Sequence, residues 1–87
     1  MSLNKIQING STAVNTGIVY DISKETNQRY NSLSDALGPN GDNVPLEVRE
    51  GGMSVKYIQI DNNKYMQFRY MKTDVTTVSR FTNIENW

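Results

Sequence analysis

The sequence predicts an α+β fold, a small and mainly antiparallel β domain with a central long hairpin and one or two short helices. Three observations predict it. Residues 51–71 alternate between apolar and polar side chains along two arms that flank a turn at residues 61–64. Short helix signals precede this hairpin, and strand-forming residues lie before the helices and after the hairpin. Strands and helices that are grouped along the chain in this way are typical of α+β domains.

The chain is predicted to contain an N-terminal β-hairpin or strand segment over residues 1–19 and an α+β module over residues 20–87, which together form a single domain. Within the first segment, residues 5–14 alternate around an Asn-Gly pair that supplies the two positive-φ positions of a type I′ hairpin turn. A further strand is predicted over residues 18–22, and it ends where the chain becomes polar.

Two short helices are predicted in the middle of the chain. Ser32, followed three residues later by Asp35, resembles a capping box with Asp in place of Glu, and the apolar residues of 33–37 share one helical face. A second helix is predicted to begin near Pro45, whose fixed φ suits a first helical position, and to end at Gly51. Isolated helices shorter than about 12 residues are marginal in water, so both helices are expected to depend on packing.

The central hairpin is predicted to pair across a two-residue loop. This pairing gathers Tyr57, Phe68 and Tyr70 on one face, which should therefore be buried. The predicted cross-strand pairs are Tyr57–Phe68, Val55–Tyr70, Gln59–Met66, Lys56–Arg69 and Ile60–Tyr65. Where the hairpin begins, Gly51 and Gly52 are predicted to form a structural turn, and one of them should adopt positive φ because the preceding helix must reverse into a strand with little room.

The opposite face of the hairpin is the candidate recognition surface. Tyr65 is expected to be exposed near the hairpin tip, with Lys56 and Arg69 further along the same face. An exposed aromatic side chain flanked by cations can bind a glycan or another protein chain. We therefore predict a recognition surface that consists of Lys56, Tyr65, Arg69 and Trp87.

The C-terminal part of the chain predicts one more strand. Residues 75–82 are rich in Val and Thr, which favour strands, and residues 83–87 form a tail. The tail ends in Trp87, whose indole is expected to dock on an apolar surface.

The composition indicates a thin core. Only 37% of the 87 residues are hydrophobic, and the absence of cysteine and histidine leaves neither a disulfide nor a His/Cys metal site. A chain of this length buries only about 60–65% of the surface that its unfolded form exposes. Homo-oligomerisation is therefore expected to supply additional stability. Nine basic and nine acidic residues balance to a net charge of zero, which argues against nucleic acid or a membrane surface as a partner, and no apolar run is long enough to span a bilayer.

Few residues in the chain are suited to catalysis. Without histidine or a thiol, carboxylates are the main groups left, and those of Asp35, Asp42, Glu47 and Glu50 could form an acid/base pair of the glycosidase type. Helix capping, turns and solvated helix faces are the commoner roles for such residues. We therefore predict that the protein is not an enzyme and has no catalytic residues, cofactor or metal site.

Short motifs lie along the second part of the chain, in Tyr20-Asp21-Ile22-Ser23, Leu33 to Leu37, Val44-Pro45, Arg49 to Ser54, Asn63 to Arg69, and Trp87. Together these segments resemble modules in structural proteins, of the tail-fibre or appendage type, from phages and prophages of Bacteroides-like gut bacteria. The resemblance covers residues 20–87 and is most specific in the central hairpin.

This resemblance implies a non-enzymatic role in virion structure, in assembly or in adsorption to the host. It also implies a homo-oligomer, with a trimer as the first expectation, and neighbouring virion proteins as partners. The expected location is the virion, or the bacterial cytoplasm when the protein is expressed from a prophage. The alternative is a carbohydrate-binding module that recognises a cell-surface glycan through Tyr65, Arg69 and Trp87.

Overall fold

The molecule is built on a three-stranded mixed sheet, seen in a computed structural model that describes residues 19–87. The strands are β1 (Val19–Asp21), β2 (Ser54–Ile58) and β3 (Tyr65–Arg69). The α-helices are α1 (Ile22–Thr26), α2 (Leu33–Leu37) and α3 (Val78–Phe81), and short 3-10 helices cover Leu46–Val48 and Ile84–Asn86. The hairpin predicted over residues 5–14 lies outside the described residues.

The sheet has the order β1-β2-β3, in which β1 runs parallel to β2, and β2 runs antiparallel to β3. A parallel pair needs a crossover connection, which here is formed by residues 22–53 and includes α1 and α2. The α+β class predicted from the sequence is confirmed. A mainly antiparallel sheet and a long hairpin are not confirmed, because one of the two strand pairs is parallel and each hairpin arm has five residues.

The predicted register of the hairpin is wrong by two residues. The observed pairs are Ser54–Arg69, Val55–Phe68, Lys56–Gln67, Tyr57–Met66 and Ile58–Tyr65. The shift arises because the loop is longer than two residues: the N–H of Gln59 donates to the carbonyl of Lys64 at 2.8 Å, which leaves residues 60–63 in the loop. Asn63 ends that loop with φ 56°, and the N–H of Ile60 donates to the carbonyl of Tyr30 at 3.1 Å. A shift of two keeps each side chain on its predicted face.

The core lies on one face of the sheet, beneath α1 and α2. Its buried apolar residues are Ile22, Tyr30, Leu33, Ala36, Leu37, Val44, Val55, Tyr57, Tyr70 and Phe81. Tyr57 and Tyr70 are buried as predicted, whereas Phe68 is only partly buried and packs against the core from its edge. Tyr57 stands at the centre of this packing, because its ring meets Tyr30 edge-on at 6.3 Å and stacks on Phe68 at 6.2 Å.

Side-chain caps fix the beginnings of α1 and α2. The Ser32 hydroxyl accepts a hydrogen bond from the N–H of Asp35 at 3.2 Å, which confirms the predicted cap of α2. Asp21 caps α1 in the same way, through a hydrogen bond from the N–H of Lys24 to Oδ1 at 3.0 Å. The strand predicted over residues 18–22 therefore stops at Asp21, and Ile22 already belongs to a helix.

Two further predictions need correction. The helix expected from Pro45 to Gly51 is a single 3-10 turn over Leu46–Val48. The strand expected over residues 75–82 is wrong, because α3 occupies the second half of that range. Asp74 explains the change: its carboxylate accepts hydrogen bonds from the N–H groups and hydroxyls of Thr76 and Thr77, and the chain bends into a helical turn.

The glycine pair before β2 is expected to tolerate no side chain at either position. Gly52 has φ 78°, in the left-handed region that the sequence predicts for one of the pair. A Cβ at Gly51 would lie 3.0 Å from the carbonyl oxygen of Lys72 and from Cα of Thr73, both of which are backbone atoms. Gly51→Ala and Gly52→Ala should each lower the free energy of unfolding by about 1 kcal/mol or more in urea titrations.

The control for these two variants is Ser79→Ala, at an exposed position within α3. This change should stay within about 0.5 kcal/mol of the wild type. If both glycine variants were as stable as the control, the assignment of a tight structural turn to Gly51 and Gly52 would be wrong.

Candidate functional site

The face of the sheet opposite the core carries side chains from all three strands, and none of them belongs to the buried core. We call it the open face. Its residues are Val19, Asp21, Ser54, Lys56, Ile58, Tyr65, Gln67 and Arg69. The strand registers place Asp21, Lys56 and Gln67 in one row across the sheet.

Tyr65 lies at the centre of the polar contacts on the open face. Its hydroxyl donates to Oδ2 of Asp21 at 3.0 Å, and Nζ of Lys56 lies 4.8 Å from the centroid of its ring. The ring is still 52% exposed. The hydrogen bond to Asp21 raises the pKa of the Tyr65 hydroxyl above its usual value, which is already high enough to keep the group a neutral donor near pH 7. Tyr65 therefore reaches across β2 to β1 and ties the two outer strands together.

Arg69 lies on the same face but points back towards the start of β2. Its Nε donates to the carbonyl of Gly52 at 3.0 Å. The predicted like-charge pair of Lys56 with Arg69 does not form, because Lys56 stands opposite Gln67 in the observed register. The two cations are therefore separated along the sheet.

Trp87 is not part of the open face. Its indole N–H donates to the carbonyl of Phe81 at 2.7 Å, and its ring lies 5.1 Å from that of Tyr70 and 5.2 Å from that of Phe81. Tyr70 and Phe81 are both fully buried, so Trp87 completes an aromatic cluster of the core. The structure thus brings Lys56 and Tyr65 together, places Arg69 on the same face and puts Trp87 elsewhere.

Arg49 is the residue with a major role that the sequence did not reveal. Its guanidinium donates to the carbonyls of Val44 at 2.8 Å, Gly41 at 2.9 Å and Val75 at 3.1 Å. Its Cζ also lies 4.3 Å from the centroid of the Phe81 ring. Arg49 joins the loop that holds Gly41 and Val44 to Val75, which lies 26 residues further along the chain than Arg49, and nothing in its local sequence indicates this role.

The acidic residues considered for catalysis do not form a pair around a cleft. Asp35, Asp42, Glu47 and Glu50 are all exposed. Elsewhere, hydrogen bonds from the hydroxyl and N–H of Thr77 are the main reason that the pKa of Asp74 lies well below its usual range. Within residues 19–87, no group of three or more His, Cys, Asp or Glu side chains is placed to hold a metal ion, and no helix is long and apolar enough to cross a membrane.

A groove of about 620 Å³ lies between the loop after α1, the end of α2 and the hairpin loop. It is lined by Arg29, Tyr30, Asn31, Ser34, Asp35, Gly38, Pro39, Ile60 and Thr82. Two of its polar groups already have protein partners: Arg29 donates to the Asn63 side chain at 3.2 Å, and the Tyr30 hydroxyl donates to Thr26 at 2.7 Å. The groove therefore indicates no particular class of ligand.

Comparisons with protein-family models, with curated proteins and with solved structures find no match for this chain. The surfaces that bear on function are the open face and the strand edge beside it. Within the described residues, these surfaces offer hydrogen-bonding groups, one exposed aromatic ring and free backbone groups, which are features that serve binding.

Proposed function

We propose that this protein is a non-enzymatic structural or assembly module that functions as a homo-oligomer. The observation that carries the proposal is the exposed edge of the sheet at β3. Within residues 19–87, β3 pairs only with β2, so its outer side presents unpaired N–H and C=O groups. No residue of β3 is fully buried, and the apolar side chains of Met66 and Phe68 are left partly exposed beside that edge.

The small size of the core also supports a homo-oligomer. The chain has no cysteine, and within residues 19–87 the short helices bury their apolar residues against a sheet of three strands. Met71, directly after β3 and its neighbour Tyr70, is 67% exposed, which extends the apolar surface at this edge. Association of copies would bury such surface and stabilise the fold.

The resemblance to tail-fibre and appendage modules of phages and prophages supports the same proposal. Residues that carry the resemblance have structural roles: Arg49 joins loops, and Gly52 forms the turn into β2. On this basis we propose that the module belongs to a virion, in its structure, its assembly or its adsorption to the host, with neighbouring virion proteins as partners. It would be present in the host cytoplasm when it is expressed from a prophage, and a trimer is the oligomer that the resemblance implies.

Glycan binding is the weaker alternative. A sugar-stacking platform needs an accessible aromatic face and free hydrogen-bonding groups. Tyr65 offers such a ring, but Lys56 lies over it, and its hydroxyl is engaged by Asp21. Trp87, the second aromatic expected for the platform, packs in the core cluster instead.

The proposed function is tested by the dependence of mass and stability on concentration. The protein should sediment as an oligomer at high micromolar concentration, and its melting temperature should rise with protein concentration because association favours the folded state. A monomeric mass together with a concentration-independent melting temperature would refute the proposal. That result would favour a monomeric glycan-binding module, which a glycan array could then examine.

A further inference from the structure

We propose that β3 is the contact between two copies of this chain, which pair antiparallel across a twofold axis at Gln67. This inference rests on the proposed assembly role, names the surface that performs it and replaces the trimer that the resemblance implies with a twofold dimer. The pairing would join two three-stranded sheets into one continuous sheet of six strands.

The backbone of β3 determines which of its groups are available. Gln59 donates to Lys64 at 2.8 Å and Tyr70 donates to Met53 at 2.8 Å, at the two ends of the β2–β3 ladder. Because hydrogen-bonded pairs alternate along an antiparallel ladder, Met66 and Phe68 direct their backbone groups towards β2. The N–H and C=O groups of Tyr65, Gln67 and Arg69 therefore point away from the sheet, towards a second copy.

The side chains beside this edge leave it open to another strand. Long charged side chains commonly block an exposed strand edge. Arg69, the charged residue of β3, is held back over its own sheet by its hydrogen bond to the Gly52 carbonyl at 3.0 Å. Tyr65 is held back in the same direction by its 3.0 Å hydrogen bond to Asp21. Only Gln67 remains between them, and it carries no charge.

Repulsion between arginine side chains determines which pairing register of the two β3 strands is favoured. A twofold axis at Arg69 would place two guanidinium groups directly opposite each other, and like charges in that position are destabilising. An axis at Gln67 places Tyr65 opposite Arg69 of the second copy and Gln67 opposite its own counterpart. On the other face it places Met66 opposite Phe68 of the second copy, so the partly exposed apolar side chains cover each other. This register also uses the full length of the strand.

The opposite edge of the sheet is a poorer candidate. Within residues 19–87, β1 has three residues, and α1 follows it directly. These three residues offer an added strand fewer extended backbone groups than the five residues of β3 do. β3 has five extended residues, and every second one (Tyr65, Gln67 and Arg69) directs its N–H and C=O groups away from β2.

Variants that introduce a charge at Gln67 test the twofold contact. Gln67→Lys and Gln67→Glu each place two like charges face to face on the axis, and self-association in sedimentation velocity should weaken at least about tenfold. An equimolar mixture of the two variants should dimerise again, because lysine then faces glutamate. The control is Gln28→Lys, which adds the same charge at an exposed position after α1 and should leave the wild-type dimer unchanged.

Hydrogen exchange on the wild-type protein provides a second measurement that needs no variant. The amides of Tyr65, Gln67 and Arg69 should become protected as the concentration rises, whereas those of Met66 and Phe68 should be protected throughout. The proposed contact would be overturned if Gln67→Lys and Gln67→Glu each self-associated as tightly as the wild type. It would also be overturned if the amides of Tyr65, Gln67 and Arg69 exchanged rapidly in the oligomer. A trimeric mass would overturn it and leave the proposed assembly role intact. A monomer at every concentration would overturn both.

Discussion

Phe81→Ala is expected to lower the free energy of unfolding by about 3–5 kcal/mol, which is a large part of the stability of a domain this small. Phe81 is completely buried, and its ring lies 5.0 Å from Tyr70 and 5.2 Å from Trp87, with the Arg49 guanidinium over its face. Removing the ring would leave a cavity and take away one wall of the aromatic cluster. Urea denaturation followed by circular dichroism would measure the loss.

Phe68→Ala is the matched control, because it deletes the same atoms from a partly buried site. The ring of Phe68 stacks on Tyr57 at 6.2 Å but lies at the edge of the core. Its removal therefore takes away less buried apolar surface than the removal of the Phe81 ring does. Its cost should be clearly smaller than that of Phe81→Ala. Equal losses, or a larger loss at Phe68, would show that the core is centred on the hairpin and that the cluster around Phe81 is secondary.

Arg49→Ala should destabilise the protein by about 2–4 kcal/mol, because hydrogen bonds from a charged donor to partly buried acceptors each contribute about 1.5–3 kcal/mol and their loss is not additive. The carbonyls of Gly41, Val44 and Val75 would lose their shared donor. Arg49→Lys should recover little of this stability, since a lysine ammonium cannot reproduce the planar fork of the guanidinium or its stacking on Phe81.

Arg80→Ala provides the comparison for Arg49. Arg80 forms an ion pair with Asp74 at 3.2 Å, but its side chain is 67% exposed, and exposed pairs are typically worth about 0–1 kcal/mol. Thermal or urea unfolding should therefore separate the two arginine variants clearly. If Arg49→Ala lowered the free energy of unfolding as little as Arg80→Ala, water would have to replace the contacts of Arg49 with almost no loss of stability.

Local sequence signals were sufficient to predict the features whose interactions join residues only a few positions apart. The cap of α2 was predictable because Ser32 and Asp35 stand at the spacing of a capping box. Gly52 adopts the predicted positive φ, but in a tight turn closed by the hydrogen bond from the N–H of Met53 to the carbonyl of Glu50, and not at the end of a helix. Alternation along the hairpin also gave the correct face for each side chain of β2 and β3. These features depend on backbone geometry and on nearest neighbours.

Features that depend on distant residues could not be predicted. The observed hairpin register differs from the predicted one because the carbonyl of Tyr30 accepts a hydrogen bond from the N–H of Ile60. Ile60 therefore lies outside the ladder between β2 and β3. The parallel pairing of β1 with β2 joins residues on either side of a long crossover, so it leaves no local pattern. In residues 75–82, strand propensity was overridden by the hydrogen bonds of the Asp74 carboxylate, and propensity is a weak guide where such caps compete.

The candidate site shows the same division. Lys56, Tyr65 and Arg69 share one face because alternation determines it. The position of Trp87 depends on the path of the chain through α3, which the sequence did not predict. Arg49 was missed for a related reason, since its partners lie in segments up to 26 residues away.

Because Trp87 is the single tryptophan of the chain and is docked on Tyr70 and Phe81, its fluorescence reports on one cluster alone. Excitation energy of Tyr70 should be transferred to the indole across 5.1 Å, and this transfer should weaken when the last 3-10 turn detaches. An emission change that precedes the loss of the far-ultraviolet signal would reveal that the C-terminal turn is released while the sheet is still folded. Coincident changes would indicate that the aromatic cluster and the sheet unfold as one cooperative unit.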